Sequence, residues 1–385
     1  MTRAESKFTS VEICAGAGGQ AVGLHKAGFK HLALIELDKN ACETLKLNVD
    51  GNREWEGCKV LNEDLTTFDP KSLGLEPGEL DLLAGGVPCP PFSAAGKQLG
   101  PDDERDLFPT MLNMIDVLQP KAVMIENVRG LLEPPEKFRQ YREEVILRRL
   151  KEAGYVPCYW KVLEACDYGV PQLRPRAILV AMREEYAQHF AWTEPASGQL
   201  VTVAKALGPS MRKRFKESGH PDWEKYYKDW LRNADKGVAP TLVGGSKKHG
   251  GADLGPTRAK KAWAKLGVCG LGVANDPEEM KDPSRDLFAA AGPKLTVRQA
   301  ATIQGFPEKW KFFGRKTAAY RQVGNAFPPP VAQAVGEQII AALEKGPKKT
   351  ESVEREALFE LPAPSAPLGA ELADRSGDLE GAGVR

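Results

Sequence analysis

The chain has 385 residues, 42% hydrophobic and 27% charged, the balance of a globular protein with a substantial core; the length allows two domains, or one large α/β domain with an insertion. A formal net charge of +1 requires any polyanion-binding surface to be local, and no run of about eighteen apolar residues is present to span a membrane. Seven cysteines without a CxxC pair, and five histidines not grouped at ligand spacing, argue against a disulfide framework or a metal site. The opening MTRAESKFTS lacks the apolar core of a signal peptide, and reduced thiols fit a cytoplasmic location.

VEICA (11–15) predicts a short strand ended by glycines, and a helix follows to residue 27, closed by Gly28. HLALIEL (31–37) predicts a second strand and DKNACETLKLNV the next helix. DLLAGG (81–86), KAVMIENV (121–128) and RAILVAM (176–182) read as strands; MLNMIDVLQ (111–119) and FRQYREEVILRRLKEAG (138–154) read as helices. Alternating β and α segments predict a doubly wound, mostly parallel, Rossmann-like sheet with helices on both faces, and ligands beyond the carboxyl ends of its strands. From residue 186 to about 293 the rhythm breaks into a stretch rich in glycine, lysine and tryptophan. VRQAATIQGF (297–306) is helix-like again, and VAQAVGEQIIAALEKG (331–346) places Val331, Val335, Ile339 and Leu343 on one face. The expected division is a catalytic and cofactor-binding domain (1–185), a smaller target-recognition domain (186–315), a segment and helix returning to the first domain (316–346), and a disordered tail (347–385) rich in Pro, Ala, Gly and acidic residues.

Four stretches carry chemistry. In GGVPCPPFS (85–93) the prolines exclude helix and central strand, so Cys89 sits where a strand gives way to a stiff loop. That placement suits a reactive thiol, although a cysteine is commonly a small buried hydrophobe. In EICAGAGGQAVGL (12–24), Gly16, Gly18 and Gly19 supply a turn that lets a ligand approach the backbone, and Glu36, about twenty residues on, is placed to accept from ribose hydroxyls. The pair fits a nicotinamide cofactor, a flavin, S-adenosylmethionine, or a tight turn without ligand. ENV (126–128) delivers Glu126 at a strand's carboxyl end, either as a solvated side chain or as a proton or hydrogen-bond donor. In VPQLRPR (170–176) Gln172, Arg174 and Arg176 alternate, which predicts three side chains on one face of an extended segment.

Taken in order, EICAGAGG, IELDKNA, NEDLT, GGVPCPPFSAAGKQ with RDLF, IENVRGL, VPQLRPR, LTVRQAATIQGFP and VGNAFPPPVAQAVG resemble the cytosine-C5 methyltransferases, chiefly the bacterial DNA enzymes of restriction-modification systems. The resemblance runs from about residue 10 to 340. It implies that Cys89 is the nucleophile toward C6 of a flipped-out cytosine, Glu126 bonds N3 and the exocyclic amine, Arg176 orients Glu126, and Arg174 contacts the base carbonyl or its phosphate. It assigns S-adenosylmethionine to a pocket of Gly16, Ala17, Gly18, Gly19, Glu36, Leu37, Asp64, Leu65, Pro88, Leu107 and Asn325, with S-adenosylhomocysteine as product and no metal. Cys14 stands where members often carry a phenylalanine that packs on adenine, and Leu37 where some carry tryptophan. Double-stranded DNA is the implied partner, contacted by Ser93, Lys97, Gln98 and Arg105 in the loop 94–105 and its flank, by Gln172, and by Thr241, Leu242, Lys247, Lys248 and Arg258 in a glycine- and lysine-rich stretch. A monomer, and a cognate endonuclease acting on the same site without a stable complex, complete the expectation. The alternatives are the same chemistry on tRNA, an inactive DNA-binding relative, and a nicotinamide-dependent oxidoreductase.

Overall fold

β1 (Phe8–Ile13) alternates between two cores: Val11 and Ile13 face one side of a sheet, Ser10 and Glu12 the other. The computed structural model describes residues 8–88, 106–195, 200–244 and 252–347. Gly18, in the left-handed region at φ 83°, turns the chain from β1 into α1 (Gly19–Ala27), and Gly28 ends that helix. β2 (Phe29–Glu36) follows. Asp38 then caps α2 (Lys39–Val49) by accepting from the amides of Asn40 and Ala41. β3 (Lys59–Asn62), β4 (Leu82–Gly85), α3 (Phe108–Leu118) and β5 (Ala122–Val128) extend the βα rhythm. A π-helical turn, Tyr141–Leu147, runs into α4 (Arg148–Glu152) where the sequence predicts one uninterrupted α-helix.

β6 (Tyr155–Glu164) and β7 (Pro175–Arg183) complete a seven-stranded sheet of order β3-β2-β1-β4-β5-β7-β6. The first five strands in that order pair in parallel. β7 pairs antiparallel with both β5 and β6, because β6 and β7 are joined without a crossover helix. On one face, α3, α4 and the π-turn bury Met111, Ile115, Ile146 and Leu150 against Val11, Ile13, Leu83, Val123 and Ile125. On the other, α1 and α5 (Glu184–Ala187) pack with α12 (Pro329–Lys345) over Leu82, Ala84, Met124 and Val180.

α6 (Val203–Glu217), α7 (Trp223–Ala234), α8 (Thr257–Lys265), α9 (Pro283–Asp286), α10 (Val297–Ile303) and α11 (Lys316–Asn325) fill the interval before α12. Their core of Leu207, Met211, Phe215, Trp230 and Trp263 is continuous with Leu34, Leu45 and Trp55 of the sheet unit. α10 begins with a reciprocal cap between Thr296 and Gln299. α12 lies close on α1 because the contact is made of small residues: a Cβ on Gly19 would meet the carbonyl of Phe327, one on Gly23 that of Pro329, and one on Gly336 would lie 2.9 Å from Leu24 Cδ2. Among the described residues no helix is long and apolar enough to cross a membrane.

Candidate active site and cofactor pocket

A cavity of about 470 Å³ opens at the carboxyl ends of β1, β2 and β4. Its wall includes Cys14, Gly16, Ala17, Gly19, Glu36, Leu37, Asp64, Leu65, Pro88, Leu107 and Asn325, so all but one of the predicted cofactor residues are brought together. The exception is Gly18, which supplies the turn but faces away: a Cβ there would lie 2.7 Å from Trp310 Cζ2 and 2.9 Å from Leu45 Cδ2. Trp310 donates its indole N–H to the carbonyl of Ala17 (2.9 Å), fixing the turn from outside.

Glu36 accepts from the amide of Gly16 (2.8 Å) through Oε2 and from that of Asp38 (2.7 Å) through Oε1. A carboxylate offers about four acceptor positions, so two stay available to a diol. Leu37 is 63% exposed, an apolar surface on the rim. Asp64 Oδ1 accepts from the amide and hydroxyl of Thr66, which hold its carboxyl below the usual range. Cys14 adopts φ 50°, and burial, with Glu36 nearby, pushes its thiol up. Glu12 and Gln20 also line the cavity; the Gln20 side chain lies against the buried Glu12 carboxyl, and its own amide oxygen has no hydrogen-bond partner among the described residues. Such acceptors suit a cationic group. With the ribose-type carboxylate and a volume in the usual range for small-ligand sites, they make the cavity fit S-adenosylmethionine.

Glu126 lines the same cavity, and its Oε1 lies 2.7 Å from Arg176 Nε. Gly86 leaves room for it: a Cβ there would sit 2.8 Å from Glu126 Oε2. The next residue, Asn127, donates to the carbonyl of Val87 (3.1 Å). The ENV carboxylate and the GGVP backbone that leads to Cys89 are thereby held together. Cys89, Ser93, Lys97, Gln98 and Arg105 lie outside the described residues, as do Lys247, Lys248 and the tail from 348.

Elsewhere the structure departs from the sequence reading. Gln172, Arg174 and Arg176 do not share a set of partners, since β7 begins only at Pro175. Arg174 is buried and donates to the carbonyls of Leu242 (2.6 Å), Gly324 (2.9 Å) and Ala326 (3.0 Å). Burial, with Arg176 nearby, pushes its guanidinium well below its ordinary value. Gln172 and Leu242, expected at DNA, are fully buried. Thr241 donates to the carbonyl of Leu173 (2.6 Å). Arg258 is exposed on α8. The basic run beside it is partly neutralised, Lys260 pairing with Asp253 at 2.8 Å.

The reading also missed part of the wall. Ala318, Arg321 and Gln322 line the cavity at positions i, i+3 and i+4 of α11, with the expected Asn325 at i+7. That is the spacing of one helical face, and the signal was available in KTAAYRQVGN.

The sheet order and the cavity at its strand ends define a Rossmann-like methyltransferase fold. The methyltransferase EhMeth of Entamoeba histolytica superposes with a TM-score of 0.58 at 15% identity, covering 87% of this chain and 98% of its own. A DNMT2 mutant of Spodoptera frugiperda does so with 0.56 at 16%, covering 87% and 100%. The family model described as C-5 cytosine-specific DNA methylase matches residues 8–341, and the chain belongs to that family. It is 51% identical over 335 residues to the Type II methyltransferase M.NaeI of Lentzea aerocolonigenes (86% of this chain, 75% of that one). It is 47% identical over 344 residues to M.NgoMIV of Neisseria gonorrhoeae (88% and 99%). The reaction is therefore C5 methylation of DNA cytosine, and the oxidoreductase reading of the glycine turn is set aside.

Proposed function

We propose that the chain is the modification enzyme of a Type II restriction-modification system, methylating one cytosine of a short duplex sequence through a covalent Cys89 adduct. The observation that carries the proposal is the Glu126–Arg176 pair, whose carboxylate lines the cofactor cavity and lies against the GGVP backbone that precedes Cys89. Cytosine C5 is a weak nucleophile in an aromatic ring. Attack of the Cys89 thiolate on C6 breaks the aromaticity and makes C5 enamine-like, while Glu126, oriented by Arg176, bonds N3 and the exocyclic amine and so favours the charge developing on the ring. S-adenosylmethionine, when bound, supplies an electrophilic methyl group and departs as S-adenosylhomocysteine. Loss of the C5 proton and expulsion of Cys89 restore the ring. Glu36 holds the ribose, Leu37 and Leu65 cover the adenine, and Glu12 and Gln20 offer acceptors to the amino-acid end.

Residues 186–315 serve as the target-recognition region, with Thr241 and Arg258 on the DNA side. The enzyme acts as a cytoplasmic monomer on the bacterial nucleoid, and a cognate endonuclease cuts the same site without forming a stable complex with it. The test is expression in a host lacking cytosine methylation, followed by bisulfite sequencing of that host's DNA. Protected cytosines in one short context are expected, and none with Cys89→Ser. Unprotected DNA in the presence of folded wild-type protein overturns the reading.

A further inference from the structure

The buried part of QLRPR ties two distant pieces of chain together. Gln172 accepts from the amide of Leu242 through Oε1 (2.7 Å) and donates through Nε2 to Gln304 Oε1 (2.6 Å). Gln304 in turn donates to the carbonyl of Ala326. Arg174 donates to the other backbone group of Leu242, its carbonyl, and to the carbonyls of Gly324 and Ala326 at the α11–α12 junction. Both polar backbone groups of Leu242 are thus gripped by side chains two residues apart. Short backbone bonds flank the grip: Ala239 N to Pro171 O (2.9 Å) and Leu173 N to Ala239 O (2.8 Å). Two residues on, Gly244 lies so close to Asn325 that a Cβ would collide with its side chain.

Glu164 accepts from the backbone amide of Arg174, but among the described residues the guanidinium has no carboxylate within ion-pair distance, although the residue is 1% exposed. A buried cation without an anion is a costly arrangement, and hydrophobic packing could fill the same volume. What only a guanidinium provides is a rigid planar fork that holds several carbonyls at fixed separations. We propose that Gln172 and Arg174 are positioning residues for sequence specificity: they clamp segment 239–244 at one height above the cofactor cavity and act on target choice without touching DNA. This rests on the reading of that segment as part of the recognition region. Base-edge contacts demand placement within about 0.5 Å. A segment free to shift further contacts neighbouring sequences almost as well as the right one.

The test compares wild type, Gln172→Met and Arg174→Lys in the bisulfite assay, at expression levels giving equal methylation of the preferred context. Met keeps the volume of Gln172 but neither hydrogen bond, and Lys keeps the charge but cannot span three carbonyls. The ratio of preferred to single-mismatch contexts is expected to fall about fivefold or more in both, since one base pair ordinarily discriminates by at least that factor. A clamp important only for stability lowers the amount of folded enzyme and leaves the ratio alone. Ratios within about twofold of wild type therefore overturn the proposal. Should Arg174→Lys not accumulate as folded protein, Gln172→Met decides alone. A wild type that methylates nothing sinks the functional reading itself, an outcome distinct from unchanged ratios.

Discussion

Arg176 Nε and Glu126 Oε1 are 2.7 Å apart because their strands run antiparallel: Glu126 pairs with Ile178 and Arg176 with Val128, so the two are diagonal neighbours on one face. A lysine at 176 keeps the charge and loses the fixed planar geometry. Arg176→Lys is expected to lower the single-turnover methylation rate by about 10²-fold, the penalty typical of a small misplacement at a reacting centre, with DNA affinity nearly unchanged. Quench-flow with labelled cofactor, alongside a DNA-binding titration, separates the two. An unaltered rate would remove Arg176 as the residue that orients Glu126.

Glu12 carries a pH signature. It is fully buried, with neutral His31 at 3.4 Å. Burial holds its carboxyl well above the ordinary value of 4.5 and pushes His31 down to about 3. Above pH 4.5 the unfolded chain has released the Glu12 proton while the native chain keeps it, so the native state binds more protons and this group lowers stability as pH rises. Glu12→Gln has no such proton. It is expected to stabilise the cofactor-free protein at pH 8 and to lose that gain toward pH 4.5, as read from denaturant unfolding at several pH values. His31 contributes the opposite slope below 6.5, so the comparison is read above that pH.

Glycine to alanine inside a helix ordinarily stabilises by about 1 kcal/mol. Two glycines here are expected to respond very differently. At Gly23 the new methyl would meet the carbonyl of Pro329 and lie 2.5 Å from Ala332 Cβ, so α12 must move off α1 and a loss of about 1–3 kcal/mol follows. At Gly208 it would lie 3.7 Å from Tyr227 Oη and 3.8 Å from Leu231 Cδ1, ordinary contact, but Pro209 next in the helix disfavours a Cβ at 208 and offsets the usual gain, so a change within about 0.5 kcal/mol is expected. Chemical denaturation of both variants checks the pair. Equal shifts would contradict the packing described.

Much of this was legible in the residues, for physical reasons. The parallel strands announce themselves as apolar runs, and the GAGG turn needs φ values that glycine readily adopts. β6, interrupted by Pro157 and Lys161, has no such run, and the antiparallel entry of β7 depends on which neighbour it finds, a long-range fact. The burial of Gln172 and Arg174 against distant backbone was not legible for the same reason. Period-two alternation tells which side a residue takes only where a strand exists, and theirs has not begun. Their partners, Leu242, Gln304, Gly324 and Ala326, lie 68 to 152 positions away.

The cofactor cavity has a seam in time as well as in space. One wall comes from residues 12–88 with Leu107 and Glu126, the other from residues 318–327. During synthesis the first wall leaves the ribosome early, but its counterpart appears only after nearly the whole described chain has been made. A nascent or prematurely terminated chain can carry Cys89 and the glycine turn and still have half a cofactor site. The enzyme's ability to mark DNA therefore waits on residues 318–327, and a fragment that stops short of them is expected to lack a complete cofactor site.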